Sequence, residues 1–422
     1  MHDHEQRLAL HNEVHARPPE PMAVPLAITH VVMWIDRETR QASRQHLTQL
    51  LRDHHLATPD EQTTHLRAGF GGWRLRWELH TEFVTWTFMR AVDPTALGNE
   101  PEPALHAVPQ AWLSQMPGAC LARIHLWALP SDESGQPWVS SYLNEGTLVA
   151  SVVADGQATV HTDFQLHPDG CSRILLFASP VPPRQLGRLI QRLLEIETYR
   201  MTALLGLPAA RAAGTVLADA EQELAQLAHA IRSAQREDEA RLLDRLTRLA
   251  GQVEGQYAAS HSRFSASRAY FELVDRRIRD IRESRLHGMQ TIAEFMERRL
   301  SPARSTCDWA ERRQTALSER VSRMSNLLRT RVEIEQQQSS QELLATMNRR
   351  QGLQLQLQST VEGLSVAAIT YYITGLVHHV AEGLSHHGWP WGVEITTAAT
   401  VPLVAVLVWL FIRRLHHRLA KD

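Results

Sequence analysis

The chain has 422 residues and a formal net charge of −2 at pH 7. This length leaves room for two or three domains, and the balanced charge gives no general attraction to nucleic acid or to an anionic membrane surface. The three cysteines, Cys120, Cys171 and Cys307, are scattered without C-x-x-C spacing. The sequence therefore predicts neither a disulfide framework nor a thiolate metal site, which fits a reducing cytoplasm.

Residues 1–180 predict a mixed α/β domain. The apolar, β-branched run 23–35 indicates a first strand, and Asp36 is a suitable N-cap for a helix that continues to Leu56. The pairs Asp155-Gly156 and Asp169-Gly170 are turn signals between later strands. Six further strands are predicted at residues 72–80, 82–90, 120–129, 147–153, 157–164 and 172–177.

Apolar and charged residues alternate along the second predicted strand, so its two faces differ. Successive side chains of a strand point to opposite faces of the sheet. One face carries Trp73, Leu75, Trp77 and Leu79, and the other carries Arg74, Arg76 and Glu78.

Residues 181–362 predict a helical, coiled-coil-like stalk. A helix from Pro183 is stopped by Gly206, and Leu242, Leu246, Leu249 and Val253 follow a heptad seam. Ser301-Pro302 is a helix-start signal, and heptad spacing returns afterwards. The last helix either continues unbroken into the following apolar run or breaks near Gly352 or Gly363.

Residues 363–412 predict a transmembrane hairpin, with spans at 363–381 and 395–412 and a basic tail at 413–422. Neither span contains Lys, Arg, Asp or Glu, and each is just long enough to cross about 30 Å of hydrocarbon. Basic residues lie outside the two ends of the hairpin, at Arg349, Arg350, Arg413, Arg414, Arg418 and Lys421. The connecting turn has two acidic residues and no Lys or Arg, so the positive-inside rule places both termini in the cytoplasm. A buried hairpin of a soluble protein is the alternative.

The first predicted span, together with the residue that follows it, carries a polar stripe. Its members, spaced by four residues, are Thr370, Thr374, His378 and Glu382. Polar side chains inside a membrane usually face a bundle interior or a water path, so in a symmetric oligomer the stripe is a candidate pore lining. The alternative is that the threonine hydroxyls bond to their own helix and that His378 and Glu382 lie at the membrane surface.

Candidate metal ligands are found near the N-terminus and before the last predicted strand. His11 and His15 are four residues apart, although the nearby prolines disfavour the helix that would bring them to one face. Asp163, His167 and Asp169 flank a turn and could hold a cation or act as an acid/base group. The favoured alternative is structural: Asp-Gly hairpin chemistry explains Asp169, and polar positions at the sheet edge explain Asp163 and His167. The helix from Gly187 presents a charged set, Arg188, Arg192, Glu195, Glu197 and Arg200, that is typical of a solvated or interdomain ion network.

Signatures of catalysis are absent from the sequence. It contains no G-x-S-x-G, G-x-x-x-x-G-K-[ST], G-x-G-x-x-G or H-E-x-x-H motif. We therefore predict that the protein is not an enzyme, and a catalytic use of the Glu13, His15 and Arg17 or Asp163 and His167 blocks is a third-ranked alternative.

Four blocks, NEVHARPP (12–19), RWELHTEF (76–83), TDFQLHPDG (162–170) and GRLIQRLLEIETYRM (187–201), resemble the bacterial domain-of-unknown-function family 3422. That family is described as predicted membrane-anchored proteins, which implies a location in the bacterial inner membrane. The resemblance makes the polar residues of these blocks candidates of unknown role: Asn12, Glu13, His15, Arg17, Arg76, Glu78, His80, Glu82, Asp163, His167, Asp169, Arg188, Arg192, Glu195, Glu197 and Arg200.

The order of domain, long helix and two spans also resembles the CorA-type divalent-cation channels, which are pentamers. The resemblance implies a homo-oligomer, a divalent cation as ligand and a pore along the first span. The sequence departs from that group where a Gly-Met-Asn tripeptide closes the first span, because residues 375–379 read Gly-Leu-Val-His-His. Magnesium conduction is therefore in doubt.

Two functions follow as hypotheses. The first is an oligomeric CorA-like divalent-cation channel or transporter gated by the cytoplasmic domain. The second is a non-conducting, membrane-tethered sensor or scaffold that binds a protein partner through that domain. The sequence identifies neither the partner nor a cofactor.

Overall fold

The computed structural model describes residues 3–8, 10–11, 18–92, 102–131, 136–385 and 392–419. The chain forms two compact units, Met1–Ser325 and Asn326–Asp422. The first unit is a sheet covered by helices, and the described residues of the second unit are almost all helical. The domain limits drawn from the sequence stay a prediction.

The sheet of the first unit has nine strands in the described residues: β1 (Leu26–Trp34), β2 (His65–Gly69), β3 (Arg74–Leu79), β4 (Phe83–Ala91), β5 (Ala119–Pro130), β6 (Val149–Val153), β7 (Ala158–Thr162), β8 (Ser172–Ala178) and β9 (Ser284–Arg285). Their order in the sheet is β2-β3-β4-β1-β5-β8-β7-β6-β9. β5 and β8 pair in parallel, and the other neighbouring strands are antiparallel. The seven predicted strands are confirmed, and β2 and β9 are additional.

Eight α-helices are assigned in the described part of the chain: α1 (Arg37–Asp53), α2 (Gln110–Leu113), α3 (Gln136–Tyr142), α4 (Pro183–Leu204), α5 (Gly206–Ser233), α6 (Arg236–Asp280), α7 (Ile292–Ser385) and α8 (Val393–Leu419). A 3₁₀ turn at Ala104–Ala107 precedes α2. Asp36 caps α1 as predicted, because its carboxylate accepts hydrogen bonds from the backbone N–H of Glu38 (3.0 Å) and Thr39 (2.9 Å).

One face of the sheet is an aromatic core. Trp77, Trp86 and Phe88 have no exposed surface, and Leu47 and Leu50 of α1 belong to the same buried cluster. The Trp77 and Trp86 rings meet edge to face with centroids 6.2 Å apart. This is the apolar face that the alternation in the second predicted strand indicates.

The opposite face of the sheet is covered by α4 and α6. α4 buries a broad apolar stripe that includes Leu186, Ile190 and Leu194. α6 meets the sheet in its second half, where the Tyr270 ring lies 6.1 Å from that of Phe83 in β4. Its heptad seam, at Leu242, Leu246, Leu249 and Val253, is also buried. Side chains of β1, β3 and β4 that point away from the aromatic core therefore lie beneath two helices.

Helix α7 does not start where the sequence predicts. It begins at Ile292, so Pro302 lies inside the helix and the Ser301-Pro302 start signal is wrong. The first turn is capped by a side chain outside the helix, since Glu283 accepts hydrogen bonds from the backbone N–H of Ile292 (3.0 Å) and Ala293 (2.8 Å). No break occurs at Gly352 or Gly363, and the helix is continuous to Ser385.

The second unit exposes its apolar side chains. Leu364, Tyr371, Leu376, Leu403 and Phe411 are all more than half exposed. By length and composition, the segments Ile292–Leu384 and Val393–Arg414 contain stretches able to cross a membrane. A third stretch, Pro183–Ser233, also qualifies, but there α4 buries its apolar stripe within the first unit.

Candidate functional site

A cavity of about 240 Å³ lies between the sheet and helices α4 and α6. β1, β3 and β4 form its floor, α4 and α6 contribute side chains from the opposite side, and Met22 lies on its wall. Its polar lining residues are His30, Arg76, Glu78, His80, Thr85, Thr87, Gln191, Glu195, Thr198, Tyr199 and Arg277. Most are buried, which is unusual for side chains of this kind and marks the cavity as the first candidate site.

Arg76 and Glu78 form a buried ion pair on the cavity floor. They are alternate residues of β3, so both point to the face covered by α4. Their charged groups are 2.7 Å apart, and the two residues are 6% and 8% exposed. Two buried charges cost desolvation energy that their attraction repays only with good geometry, so the pair is weak evidence for a purely stabilising role.

A second ion pair forms the opposite wall. The guanidinium of Arg277, in the last turn of α6, contacts Glu195 of α4 and also lies 3.1 Å from Asp280. Tyr199, one turn further along α4, lies beside this pair, and burial raises the pKa of its hydroxyl. The cavity thus places one guanidinium–carboxylate pair on each side.

His30 is held at the centre of the polar face. Its Nδ1 lies 2.8 Å from the hydroxyl of Thr87 and its Nε2 lies 3.1 Å from the hydroxyl of Thr198, so both ring nitrogens have partners. Burial lowers the pKa of His30 to about 3. The imidazole is therefore neutral at physiological pH and acts as a fixed hydrogen-bonding group.

The hydroxyl of Thr85 is the exception to this satisfied network. Thr85 is 3% exposed and lines the cavity, and its Oγ1 has no hydrogen-bond partner among the described residues. An unsatisfied buried hydroxyl costs about 1–3 kcal/mol. A ligand in the cavity would supply the missing partner.

The segment before β1 approaches the cavity from the N-terminal side. The backbone of Glu20 lies directly on Gly187 of α4, where a Cβ would come within 1.8 Å of the Glu20 carbonyl oxygen. Met22 follows, and its backbone N–H donates to the carbonyl of Pro183 (2.9 Å). Glycine is required at position 187, because any side chain there would displace the segment that contains Glu20 and leads to Met22 on the cavity wall.

The predicted residues of the first block lie outside the described residues. They are Asn12, Glu13, His15 and Arg17. His11 is described and exposed, but its proposed companion His15 is not, so the metal prediction for this pair stays a prediction.

Of the other block residues, Arg76, Glu78, His80 and Glu195 line the cavity, and the remaining eight lie elsewhere. Glu82 receives two hydrogen bonds, of 3.1 and 3.2 Å, from the guanidinium of Arg263 in α6. Arg192 donates to the carbonyl of Asp280 (2.9 Å), and Arg188 is exposed. These contacts fix α4, α6 and the β3–β4 turn around the cavity.

The loop that precedes β8 forms a second polar region. The carboxylate of Asp163 is buried and accepts hydrogen bonds from the backbone N–H of Asn144 (2.9 Å) and Gln165 (3.1 Å). Nε2 of His167 lies 2.9 Å from the same carboxylate. This arrangement fits the structural interpretation of Asp163 and His167.

The same loop is connected to α4. Glu197 accepts from Nε of Arg200 (2.7 Å) and from the hydroxyl of Ser172 (3.4 Å), and it is 3% exposed. The Arg200 guanidinium lies over the Phe164 ring, 5.5 Å from its centroid. α4 therefore touches the cavity with Glu195 and this loop with Glu197 and Arg200.

Asp169 contacts a different set of side chains from Asp163. Its Oδ2 is 4.0 Å from Nε2 of His125 in β5 and 2.9 Å from the guanidinium of Arg173. The reactive atoms of His125, Asp169 and Cys171 all lie within 4.8 Å of one another. Burial lowers the pKa of His125 to about 4 and raises the pKa of Cys171 to about 12.

The polar stripe of α7 makes contacts within one chain. Thr370 and Thr374 are buried, and the Thr374 hydroxyl donates to the carbonyl of Thr370 (2.7 Å). Nδ1 of His378 lies 3.2 Å from the hydroxyl of Thr397 in α8, whereas Glu382 is exposed. The pore-lining assignment stays a prediction.

Sequence reasoning missed the cavity residues that come from distant parts of the chain. These are His30, Thr85, Thr198 and Arg277. A polar residue inside an apolar strand was the available signal for His30 and Thr85, since isolated polar groups in such positions need partners. Nothing local indicates that Arg277 reaches the same cavity.

The fold and the cavity define a class: a mixed α/β protein with a buried polar cavity and additional helices apolar enough for association with a membrane. The chain matches the family model described as "Protein of unknown function (DUF3422)" over residues 2–419, and it belongs to that family. None of the curated proteins matches this chain.

Proposed function

We propose that this protein is a membrane-anchored sensor that binds a small polar molecule in the cavity beneath α4 and α6. The observation that carries the proposal is the Thr85 hydroxyl, which has no partner among the described residues, in a cavity lined by one buried and one partly buried ion pair. Such a lining lowers the stability of the fold, because its charges lose their hydration. It favours recognition, because each polar group can bind a matching group of a ligand.

The ligand that fits best has no net charge and carries groups of both signs. The positive charges of Arg76 and Arg277 are balanced by the negative charges of Glu78 and Glu195, so an anion or a cation alone would leave half of the lining unused. The volume of about 240 Å³ accommodates roughly eight water-sized groups. A small zwitterion, with an ammonium and a carboxylate, meets these conditions.

The anchor in this proposal is a transmembrane hairpin made by the end of α7 and by α8. The exposed apolar side chains of both helices support it, because monomeric soluble proteins rarely expose such large apolar surfaces. Basic residues outside both ends of the hairpin support a bacterial inner-membrane location with both termini in the cytoplasm. Reporter domains fused to the C-terminus and inserted at Gly392 should have opposite locations, inside and outside.

Ligand binding would reach the membrane part through the start of α7. Arg277 lines the cavity, and only residues 278–282, at the end of α6 and just after it, separate it along the chain from Glu283, which caps the first turn of α7. A ligand that draws Arg277 away from Glu195 would shift this link. Because α7 is one continuous helix into the second unit, a shift of its first turn would be carried along the helix.

Thermal unfolding of the purified full-length protein in detergent tests the binding step. The probes are alanine and valine as zwitterions, with acetate and ethylamine as their separate charged halves. A zwitterion at one hundred times its dissociation constant should stabilise the protein by about 2.7 kcal/mol, and the separate halves should do much less. If neither zwitterion raises the melting temperature above the effect of acetate or ethylamine, the proposed ligand class is wrong.

Thr85→Val is the variant that connects binding to the cavity. The change removes the hydroxyl and keeps the shape of the side chain, and we expect about tenfold weaker binding from the lost hydrogen bond to the ligand. Thr315→Val, on an exposed position of α7, is the matched control and should bind as the unmodified protein does. If both variants bind the zwitterion with equal affinity, the ligand does not bind at Thr85 in the cavity.

The divalent-cation channel is the second candidate, supported by the polar stripe of α7. The contact of His378 with Thr397 and the burial of Thr370 and Thr374 within one chain favour the sensor, because a pore lining must face the pore axis. Native mass spectrometry in detergent separates the two. A pentamer would support the channel, whereas a monomer or dimer would remove it, since two spans per subunit cannot enclose a pore with so few subunits.

A further inference from the structure

A second site lies on the other side of the sheet from the cavity, at the point where β5 and β8 run parallel. Thr29 and His125 are directly opposite each other in β1 and β5, and Arg173 is opposite His125 in β8. These three side chains share the face that carries the aromatic core. His30, which belongs to the cavity, points to the opposite face because it is the next residue of β1.

The turn before β8 presents two more groups to His125. The turn is closed by a hydrogen bond from the Gly170 N–H to the His167 carbonyl (2.8 Å), and Gly170 has a φ of +74° that favours glycine. Oδ1 of Asp169 accepts from the N–H of Cys171 (2.9 Å), which leaves Oδ2 directed to His125. The turn thereby fixes one carboxylate and one thiol beside one imidazole.

We propose that His125, Asp169 and Cys171 bind a Zn²⁺ ion. Their ligand atoms lie within 4.8 Å of one another, and a tetrahedral ion with bonds of about 2.0–2.3 Å needs separations of roughly 3.3–3.8 Å. The required contraction is roughly 1 Å, and a rotation of the half-exposed Asp169 side chain can supply much of it. Solvent reaches the site from the Asp169 side, where a water completes the coordination.

The donor set selects the metal. An imidazole nitrogen, a thiolate and one carboxylate oxygen suit Zn²⁺, whereas Mg²⁺ and Ca²⁺ prefer oxygen ligands alone. On coordination the Cys171 thiol loses its proton to solvent, so binding releases one proton and leaves the thiolate on the metal. Cys120 and Cys307 lie outside this group.

The neighbours of the three ligands hold them in the orientation that a metal requires. Nδ1 of His125 lies 2.9 Å from the hydroxyl of Thr29, so Nε2 is the nitrogen that faces Asp169. The distance of 4.0 Å between Nε2 and Asp169 Oδ2 is too long for a hydrogen bond but leaves space for an ion between them. Arg173 donates to Asp169, and metal-bound carboxylates commonly accept such a hydrogen bond.

The site is tested on the full-length protein, purified in detergent with a reducing agent after growth with added zinc. After gel filtration, elemental analysis should find about one zinc per chain. Replacement of zinc by Co²⁺ should produce the intense near-ultraviolet band of a cobalt–thiolate bond and the visible bands of tetrahedral cobalt. A protein that retains no zinc and shows no cobalt–thiolate band would overturn the proposal.

Variants decide whether the metal lies at this place. Cys171→Ser should abolish the cobalt–thiolate band, and Cys307→Ser, which changes another buried thiol, should keep it. Asp169→Asn retains the turn's hydrogen bond to Cys171 and should weaken zinc binding at least tenfold, so it decides the question if Cys171→Ser does not fold. Thr29→Val should weaken zinc binding by about 10–100-fold without removing a ligand. A cobalt–thiolate band that persists in folded Cys171→Ser, or unchanged zinc affinity in Asp169→Asn, would show that the metal is elsewhere.

Discussion

The two faces of the central sheet differ in what they bury. On the aromatic face, Trp77, Trp86 and Phe88 are removed from water and pack against α1. On the polar face, His30, Arg76 and Glu78 are also buried, but they surround a cavity. The first arrangement stabilises the fold, and the second costs stability that only binding can recover, so the difference shows where function should be sought.

The largest effect is expected on the aromatic face. Trp86→Ala removes a fully buried ring and should lower the free energy of unfolding by about 3–5 kcal/mol, measured by urea unfolding in detergent. Trp309→Ala is the control, because Trp309 is half exposed, and it should cost less than about 1 kcal/mol. Similar losses in the two variants would contradict the distinction between core and surface.

Removal of one charge of the buried ion pair on the polar face should cost more stability than removal of both charges. Arg76→Met removes the positive charge that pairs with Glu78 and should cost about 3–5 kcal/mol. In the double variant Arg76→Met and Glu78→Leu, both charges are absent, and most of that stability should return. The double variant should nevertheless fail to bind the zwitterions. If it binds them normally, the pair has no part in recognition.

His30 should make the stability of the protein depend on pH. Between about pH 3 and pH 6.5 the unfolded chain binds a proton on this histidine that the folded chain does not, because burial lowers the pKa of His30 to about 3. The contribution of His30 to the free energy of unfolding should therefore fall by about 1.4 kcal/mol for each unit of decreasing pH in this window. Other titrating groups add their own contributions to the slope. His30→Gln should remove that part of the slope, whereas His287→Gln, at an exposed position, is the control. Parallel pH profiles for His30→Gln and the unmodified protein would contradict the burial effect.

The sequence predicts the elements of this fold better than it predicts their partners. Alternation at Trp73–Leu79 correctly separates the two faces of β3, and Asp36 correctly marks the start of α1. The burial of Arg76 and Glu78 could not be predicted in this way, because an alternating polar face is normally solvated. Only the packing of α4 and α6 over this face makes it internal.

Neither site could be predicted from the sequence, and the physical reason is the same for both. Arg277 enters the cavity from α6, and His125 meets Asp169 through the parallel pairing of β5 with β8. Both contacts join residues that are far apart in the chain, and local periodicity carries no information about such pairs. The start of α7 was missed likewise, since its cap is Glu283 and not a residue at Ser301-Pro302.

The smallest effect on stability is expected at Thr85, and there the contrast between the faces is sharpest. Thr85→Val exchanges a buried hydroxyl, without a partner among the described residues, for a methyl group of similar size. Because no hydrogen bond within the chain is lost, the free energy of unfolding without ligand should stay within about 1 kcal/mol of its original value or rise. The same change should weaken zwitterion binding, so stability and affinity would move independently. A large loss of stability would mean that the hydroxyl already has a partner, and the cavity would then lose the one polar group that calls for a ligand.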